Sequence, residues 1–214
     1  MSYHGMPTHY GHWSYGKSFE KQHSQYQHGV TGLPYELIIN SDPCISYLML
    51  ENPLYLQVLI MAHCVGHSDF FKMNRNFGYT RANTVVPRMR SAKKRIQSYT
   101  EDPHIGIEKV ERLIDACHAV SYQVPRYPTD IPELKEEYEQ YRLDNLQTLK
   151  KNKLDFRDLP YVPEYDILGF CAEFGEHKEE WEKDVMQIIR DEAYYFMPQI
   201  RTKTMNEGWA CFWH

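Results

Sequence analysis

The sequence predicts a mainly α-helical fold with a small strand component, an α+β fold organised around one buried helix. Several stretches repeat apolar residues at helical spacing, whereas only residues 33–40, LPYELIIN, combine a β-branched run with turn residues at the end. Residues 53–74 are apolar on nearly every side of a helix, a pattern typical of a helix surrounded by protein. The length of 214 residues fits a single domain, 1–214, built on that helix.

The N-terminal part predicts a short helix and a strand. The helix covers residues 17–27 and ends before Gly29, and the strand over 33–40 is closed by a Ser-Asp-Pro turn. The following CISYLMLEN leads into the helix over 53–74, in which Pro53 suits the first turn. Among the irregularly spaced N-terminal histidines, only His12, within GHWSYGK, is kept as a candidate functional residue.

Two further helices are predicted before a proline-rich segment. One begins after Asn83 or Thr84 and ends near Tyr99, and an amphipathic helix covers residues 105–120. Three prolines in SYQVPRYPTDIP break any periodic element, which makes residues 121–132 the expected site of a boundary within the domain. Residues 133–153 predict a highly charged helix that lies on the surface or reaches toward a partner.

The C-terminal region carries acidic residues on helical faces. One stripe contains Trp181, Val185, Ile188, Glu192 and Tyr195. A buried Glu192 must be paired, protonated or bound to a metal, because burying an isolated charge is costly. Pro198 is expected to end this helix, and MNEGWACFWH forms another, in which Glu207, Cys211 and His214 share one face.

Composition excludes several classes of protein. The balance of 24 basic and 29 acidic residues, with no long basic stripe, argues against nucleic-acid binding. Five scattered cysteines without a CxxC pair indicate reduced thiols in a cytosolic protein. A signal peptide and a long apolar run are both absent from the sequence, so we expect no membrane span and a cytoplasmic location.

His63 and His67 are the strongest candidates for metal binding. They stand four residues apart on the predicted central helix, so both imidazoles project from one face, as in the HExxH motif of zinc sites. Cys64 occupies the position of the usual general base. Glu207, on a distant helix, supplies the third ligand for a two-His-one-Glu site. The alternative is a pair of hydrogen-bonded core histidines.

Long blocks of the sequence resemble the stage V sporulation protein R (SpoVR-like) family. They are HWSYGK, GLPYELIINSDPCISYLMLEN, AHCVGHSDFFKMN, ERLIDACHAV and MNEGWACFWH, in this order. The resemblance implies cytoplasmic action in bacteria, a part in spore cortex (peptidoglycan) formation or stress responses, and a PrkA-type serine kinase as partner. Family members are roughly twice this length, so the chain is expected to be a truncated member or fragment.

A more distant likeness, between HxxGH with EGWA and the gluzincin metallopeptidases, implies that His63, His67 and Glu207 hold Zn²⁺. With Cys64 at the base position, Glu192 or Glu51 becomes the candidate general base. Tyr194 or His214 is the candidate that stabilises the oxyanion. Glu36 and Glu51 flank the central helix in sequence, and either is a candidate to approach the histidine pair.

Three functions remain open at this point. The first is a zincin-like hydrolase that acts on peptide or amide bonds in cell-wall material. The second is a regulatory or scaffold protein in which a vestigial site holds a structural metal. The third is an iron site, because two His and one carboxylate also form the facial triad of non-haem iron enzymes, with Glu51 and Glu192 as further carboxylates.

Overall fold

The computed structural model describes residues 8–28, 36–124, 166–175 and 178–214. The charged helix predicted over 133–153 and the proline-rich segment from residue 125 onward lie outside the described residues. Within those ranges the chain forms helices α1 (Trp13–Gln27), α2 (Leu54–Met73), α3 (Val85–Glu101), α4 (Ile107–Val120), α5 (Ile167–Phe174) and α6 (Glu180–Trp213), and strands β1 (Glu36–Ile39) and β2 (Ile45–Leu48). The predicted fold class, mainly α with a small strand component, is confirmed.

The two strands form an antiparallel hairpin that precedes α2. Glu36 of β1 lies opposite Leu48 of β2, and Ile39 lies opposite Ile45. The sequence predicted β1 but not β2. A four-residue strand gives too few alternations to be distinguished from an extended approach to the next helix.

Helix α2 matches its predicted range, but the described part of the chain covers one face of it and not all sides as expected. Its buried face carries Ile60, Cys64, His67 and Phe71, at helical spacing. The opposite face exposes large apolar side chains: Leu54, Tyr55, Val58, Met61 and Val65. An all-round apolar sequence permits complete burial but does not enforce it.

Helix α6 continues through Pro198, which was expected to end it. Proline removes one backbone N–H and crowds the preceding turn, but the turns on both sides keep their own hydrogen bonds. The Thr202 hydroxyl donates to the Pro198 carbonyl at 2.6 Å. Among the other helices, α1 begins four residues earlier than predicted, whereas α3 and α4 lie close to their predicted bounds.

The chain divides into two compact units. The first comprises Met1–Ile107 with Pro198–His214, and the second comprises Glu108–Met197. Most of the segment 121–132, where we expected a boundary, lies outside the described residues. Buried apolar residues of the first unit include Ile60, Phe71, Val85 and Ile96, and those of the second include Val110, Ile114, Val185 and Ile189.

None of the helices in the described ranges is both long enough and apolar enough to cross a bilayer.

Candidate metal centre

His63 and His67 face each other on one side of α2. Their Nε2 atoms are 2.9 Å apart, and their rings meet edge to face with centroids 4.5 Å apart. The His67 side chain is 4% exposed and that of His63 is 12% exposed. Spacing of i and i+4 on a helix brings the two rings together, as the sequence predicted.

Glu207 reaches the same point from α6, in the same compact unit. Its Oε2 lies 3.6 Å from His63 Nε2 and 3.7 Å from His67 Nε2. The structure therefore brings together all three residues named as metal ligands from the sequence. The Glu207 side chain is half exposed, so solvent reaches the cluster from the carboxylate side.

A close contact between α2 and α6 places Glu207 there. A Cβ added to Gly66 would lie 2.8 Å from the Ala210 Cα, and Ala210 is fully buried. The Trp209 indole N–H also donates to the Asp69 carboxylate at 3.0 Å. Small residues at the contact let the two helices approach closely enough for side chains on both to meet.

Asn206 lies behind the ring of His67. The His67 Nδ1 is 2.8 Å from the Asn206 Oδ1. With the proton on Nδ1, this nitrogen donates to Asn206, and the Nε2 lone pair faces His63 and Glu207. An acceptor behind a histidine ligand is a recurrent feature of metal sites, because it fixes the ring and increases its basicity.

His214 lies behind His63 in a similar way. The two Nδ1 atoms are 3.2 Å apart, and the His214 Nδ1 is also 3.2 Å from the Ala210 carbonyl oxygen. With the proton on the His63 Nδ1, the His63 Nε2 lone pair faces His67. His214 thus contacts the ring nitrogen that points away from the carboxylates.

Glu36 completes the cluster from strand β1. Its Oε1 lies 3.6 Å from His63 Nε2, and its ligand atom and those of His63 and His67 all lie within 4.8 Å of one another. The sequence named Glu36 and Glu51 equally as residues near the pair. Glu51 is exposed in the turn before α2. The hairpin register, which no local pattern encodes, brings Glu36 to the site.

Cys64 is a buried thiol. It is 5% exposed, and burial, followed by the nearby Glu36 carboxylate, raises the pKa of Cys64 above its ordinary value. A neutral thiol is a weak base and a weak nucleophile at neutral pH. Cys64 therefore cannot replace the glutamate of HExxH.

Glu192 and Tyr194, the other residues named from the sequence as catalytic, lie on α6 in the second compact unit. Glu192 is half-buried. The Tyr194 hydroxyl donates to the Asp166 carboxylate at 3.2 Å, and burial, with the charge of Asp166, raises the pKa of Tyr194 above its ordinary value. Tyr194 is thus a neutral phenol held by Asp166, and its catalytic role stays a prediction.

His12 has a local structural function. Its buried ring presents Nδ1 to the Ser14 hydroxyl at 2.6 Å and to the Ser14 backbone N–H at 3.3 Å, at the start of α1. These contacts satisfy groups at the helix N-terminus, as a capping side chain does.

The spacing of the cluster fits a metal ion. Ligand atoms about 2.0–2.2 Å from a tetrahedral ion are about 3.3–3.6 Å apart. The separations among His63, His67 and Glu207 run from 2.9 to 3.7 Å. Two imidazoles with one or two carboxylates suit Zn²⁺ and also Fe²⁺.

Comparisons with known proteins cover the whole chain. The family model described as SpoVR like protein matches residues 1–214. A protein of Escherichia coli (strain K12), named Uncharacterized protein YcgB, is 41% identical over 229 residues, which cover 98% of this chain and 44% of that protein. The chain thus spans less than half the length of that relative. No solved structure matches it.

Proposed function

This chain belongs to the SpoVR-like family of sporulation-associated proteins, and from that premise we propose that it is a metal-dependent hydrolase of peptide or amide bonds in cell-wall material. Its metal ligands are His63, His67 and Glu207. The observation that carries the proposal is the convergence of these side chains, from two helices, on one point. The Glu207 Oε2 lies within 3.7 Å of both imidazole Nε2 atoms.

The proposal assigns separate tasks to the surrounding residues. A bound Zn²⁺ would lower the pKa of its water to about 7 and polarise the scissile carbonyl. Asn206 holds the His67 ring with its Nε2 lone pair toward the site, and His214 orients His63. Both are positioning residues, since each acts through a histidine.

Glu36 takes the role of general base in this proposal. Its carboxylate oxygen is 3.6 Å from His63 Nε2, and its side chain is only 25% exposed. A carboxylate at the rim of the cluster would accept a proton from attacking water, which the Cys64 thiol cannot do. Glu51 and Glu192 were the candidates from sequence, and substitution of each by Gln tests that role.

Metal content is the first test. Wild-type protein, purified without added chelator, should contain about one zinc or iron per chain by elemental analysis. In a Cys211→Ser background, His67→Ala should lose the metal and keep its helical circular dichroism, whereas the control His23→Ala, at an exposed position on α1, should keep both in the same background. Full occupancy in Cys211→Ser/His67→Ala would refute the assignment of the ligands.

Turnover is the second test. Peptidoglycan fragments with intact peptide stems should be cleaved by the metal-loaded protein, and Glu36→Gln should lower kcat about 10²- to 10⁴-fold without loss of metal. Glu51→Gln serves as the matched control and should leave kcat unchanged. If Glu192→Gln were the only variant with a kcat lowered this much, Glu192 would be the general base.

A second candidate function has one observation in its favour. The residue at the usual base position is the buried, neutral thiol of Cys64. A family member that retained its metal as a structural element would act as a scaffold, with a PrkA-type serine kinase as the partner implied by the family resemblance. Bound metal together with no cleavage by wild type would favour this candidate.

A further inference from the structure

The ring of His63 has a second histidine partner, which it meets edge to face. Its Nε2 points to His67 and the glutamates, whereas its Nδ1 lies 3.2 Å from the His214 Nδ1. The ligand atoms of His63, Cys211 and His214 all lie within 4.8 Å of one another. The imidazole thus stands between two groups of metal-ligand side chains.

The second group differs chemically from the first. It contains a thiol and two imidazoles but no carboxylate. Cys211 lies in the last turn of α6, His214 directly follows the helix, and both are exposed. They are three residues apart, so they project from one side of the helix. The close contact between Gly66 and Ala210 brings this turn against α2.

We propose that Cys211, His214 and the Nδ1 of His63 form a second metal position that takes a thiophilic divalent ion such as Zn²⁺. The separation of 3.2 Å between the two Nδ1 atoms is close to the value of about 3.3 Å expected for two nitrogen ligands of a tetrahedral ion. Cys211 supplies a thiolate after release of its proton. His214 carries its proton on Nε2 in this state and gives up the contact with the Ala210 carbonyl.

The two positions compete for His63. A neutral imidazole has one lone pair, so His63 ligates an ion through Nε2 or through Nδ1, with the proton on the other nitrogen. An ion at the exposed position would therefore deprive the His67 and Glu207 position of a ligand. The proposal shares His63 with the hydrolytic site, but it does not require hydrolysis.

Cobalt binding tests the second position directly. The variant His67→Ala/Glu207→Gln, stripped of metal and kept reduced, should bind one Co²⁺ per chain and show thiolate-to-cobalt charge-transfer absorption in the near ultraviolet. Adding Cys211→Ser should abolish this absorption and weaken Co²⁺ binding at least about tenfold. Cys211→Ser alone should still bind Co²⁺ through the first position.

Two results would overturn the inference. One is the absence of the charge-transfer absorption in His67→Ala/Glu207→Gln, and the other is an absorption that survives Cys211→Ser. Should that double variant lose its helical circular dichroism, Glu207→Gln alone takes its place, since this side chain is half exposed. Failure of hydrolysis leaves these readouts unaffected, so the two proposals can be separated.

Discussion

The second nitrogen of each imidazole in the candidate centre has a defined neighbour. Asn206 accepts from His67 at 2.8 Å, and His214 contacts His63 at 3.2 Å. Such neighbours decide which nitrogen carries the lone pair. In the motif MNEGWACFWH, Asn206 therefore belongs to the candidate centre together with Glu207.

Replacing Asn206 should weaken metal binding without removing a ligand. Asn206→Leu keeps the branched shape of the side chain but removes the acceptor, so we expect affinity for Zn²⁺ to fall about 10- to 100-fold. Competition with a chromophoric chelator measures this change. Asn206→Asp retains an acceptor oxygen and should bind at least as tightly as wild type. Equal affinities for all three proteins would show that the contact does not orient His67.

Burial of Cys117 should make the protein less stable at high pH. Burial, followed by the neighbouring Cys171, raises the pKa of Cys117 to about 12. The folded state therefore retains a proton that the unfolded chain loses above its ordinary thiol pKa of about 8.5. Cys117 therefore contributes its full share to the free energy of unfolding below about pH 8.5. That share is lost as the pH rises toward 12.

Urea unfolding at pH 8 and pH 10 measures that loss. Cys117→Val removes the titrating group but keeps an apolar side chain of similar size, so its free energy of unfolding should fall less between the two pH values than that of wild type. Cys211→Ser, at an exposed position, should behave as wild type. If the free energy of unfolding fell equally in Cys117→Val and wild type, groups other than Cys117 would cause the loss of stability at high pH.

Among the elements, the contact between α2 and α6 matters most for the site. Gly66 and Ala210 are the point of closest approach, and His63, His67, Asn206 and Glu207 lie within one turn of it. The geometry of the cluster therefore depends on the distance between two helix backbones. Any side chain added at this point must move one helix.

Gly66→Ala should separate the two helices. The new Cβ would lie 2.8 Å from backbone at Ala210, so we expect overpacking of about 1–3 kcal/mol against a gain in helix propensity of about 1 kcal/mol, and weaker metal binding. Gly208→Ala is the matched control, because its Cβ would meet nothing within 4 Å. Thermal unfolding compares the stabilities of the two variants, and chelator competition compares their metal affinities. A Gly66→Ala protein as stable and as metal-loaded as Gly208→Ala would contradict the close approach.

At the scale of the whole molecule, the candidate centre and the Asp166 cluster belong to different compact units. Asp166 accepts from the Gly169 backbone N–H at 2.8 Å at the start of α5, and from the Arg190 Nε at 2.7 Å on α6. One carboxylate thus caps a short helix and holds it to a long one. No atom of this cluster belongs to the proposed metal ligands.

Asp166→Ala should destabilise the second unit while the metal content remains. Loss of the cap and of the charged hydrogen bond should lower the free energy of unfolding by about 1–3 kcal/mol. Denaturant unfolding and elemental analysis of the folded protein measure the two effects. Asp115→Ala, at an exposed position on α4, is the control. Loss of metal from folded Asp166→Ala would show that the cluster supports the centre.

Local sequence determined the positions of α2, α3 and α4 and the chemical identity of the candidate ligands. Periodicity located α2, α3 and α4, because side-chain spacing within a helix is a local property. It also indicated that His63 and His67 share a face. Proline chemistry at residue 198 predicted a helix end that the structure does not have, since one missing hydrogen bond is outweighed by the turns around it.

Only the tertiary structure decided which distant groups meet. Glu36 joins the cluster through the β1–β2 register, Glu207 through the contact of Gly66 with Ala210, and one apolar face of α2 stays exposed. Helix and strand patterns specify which way a side chain projects from its own element. The position of that element relative to others depends on contacts between residues far apart in sequence, and no local pattern records those contacts.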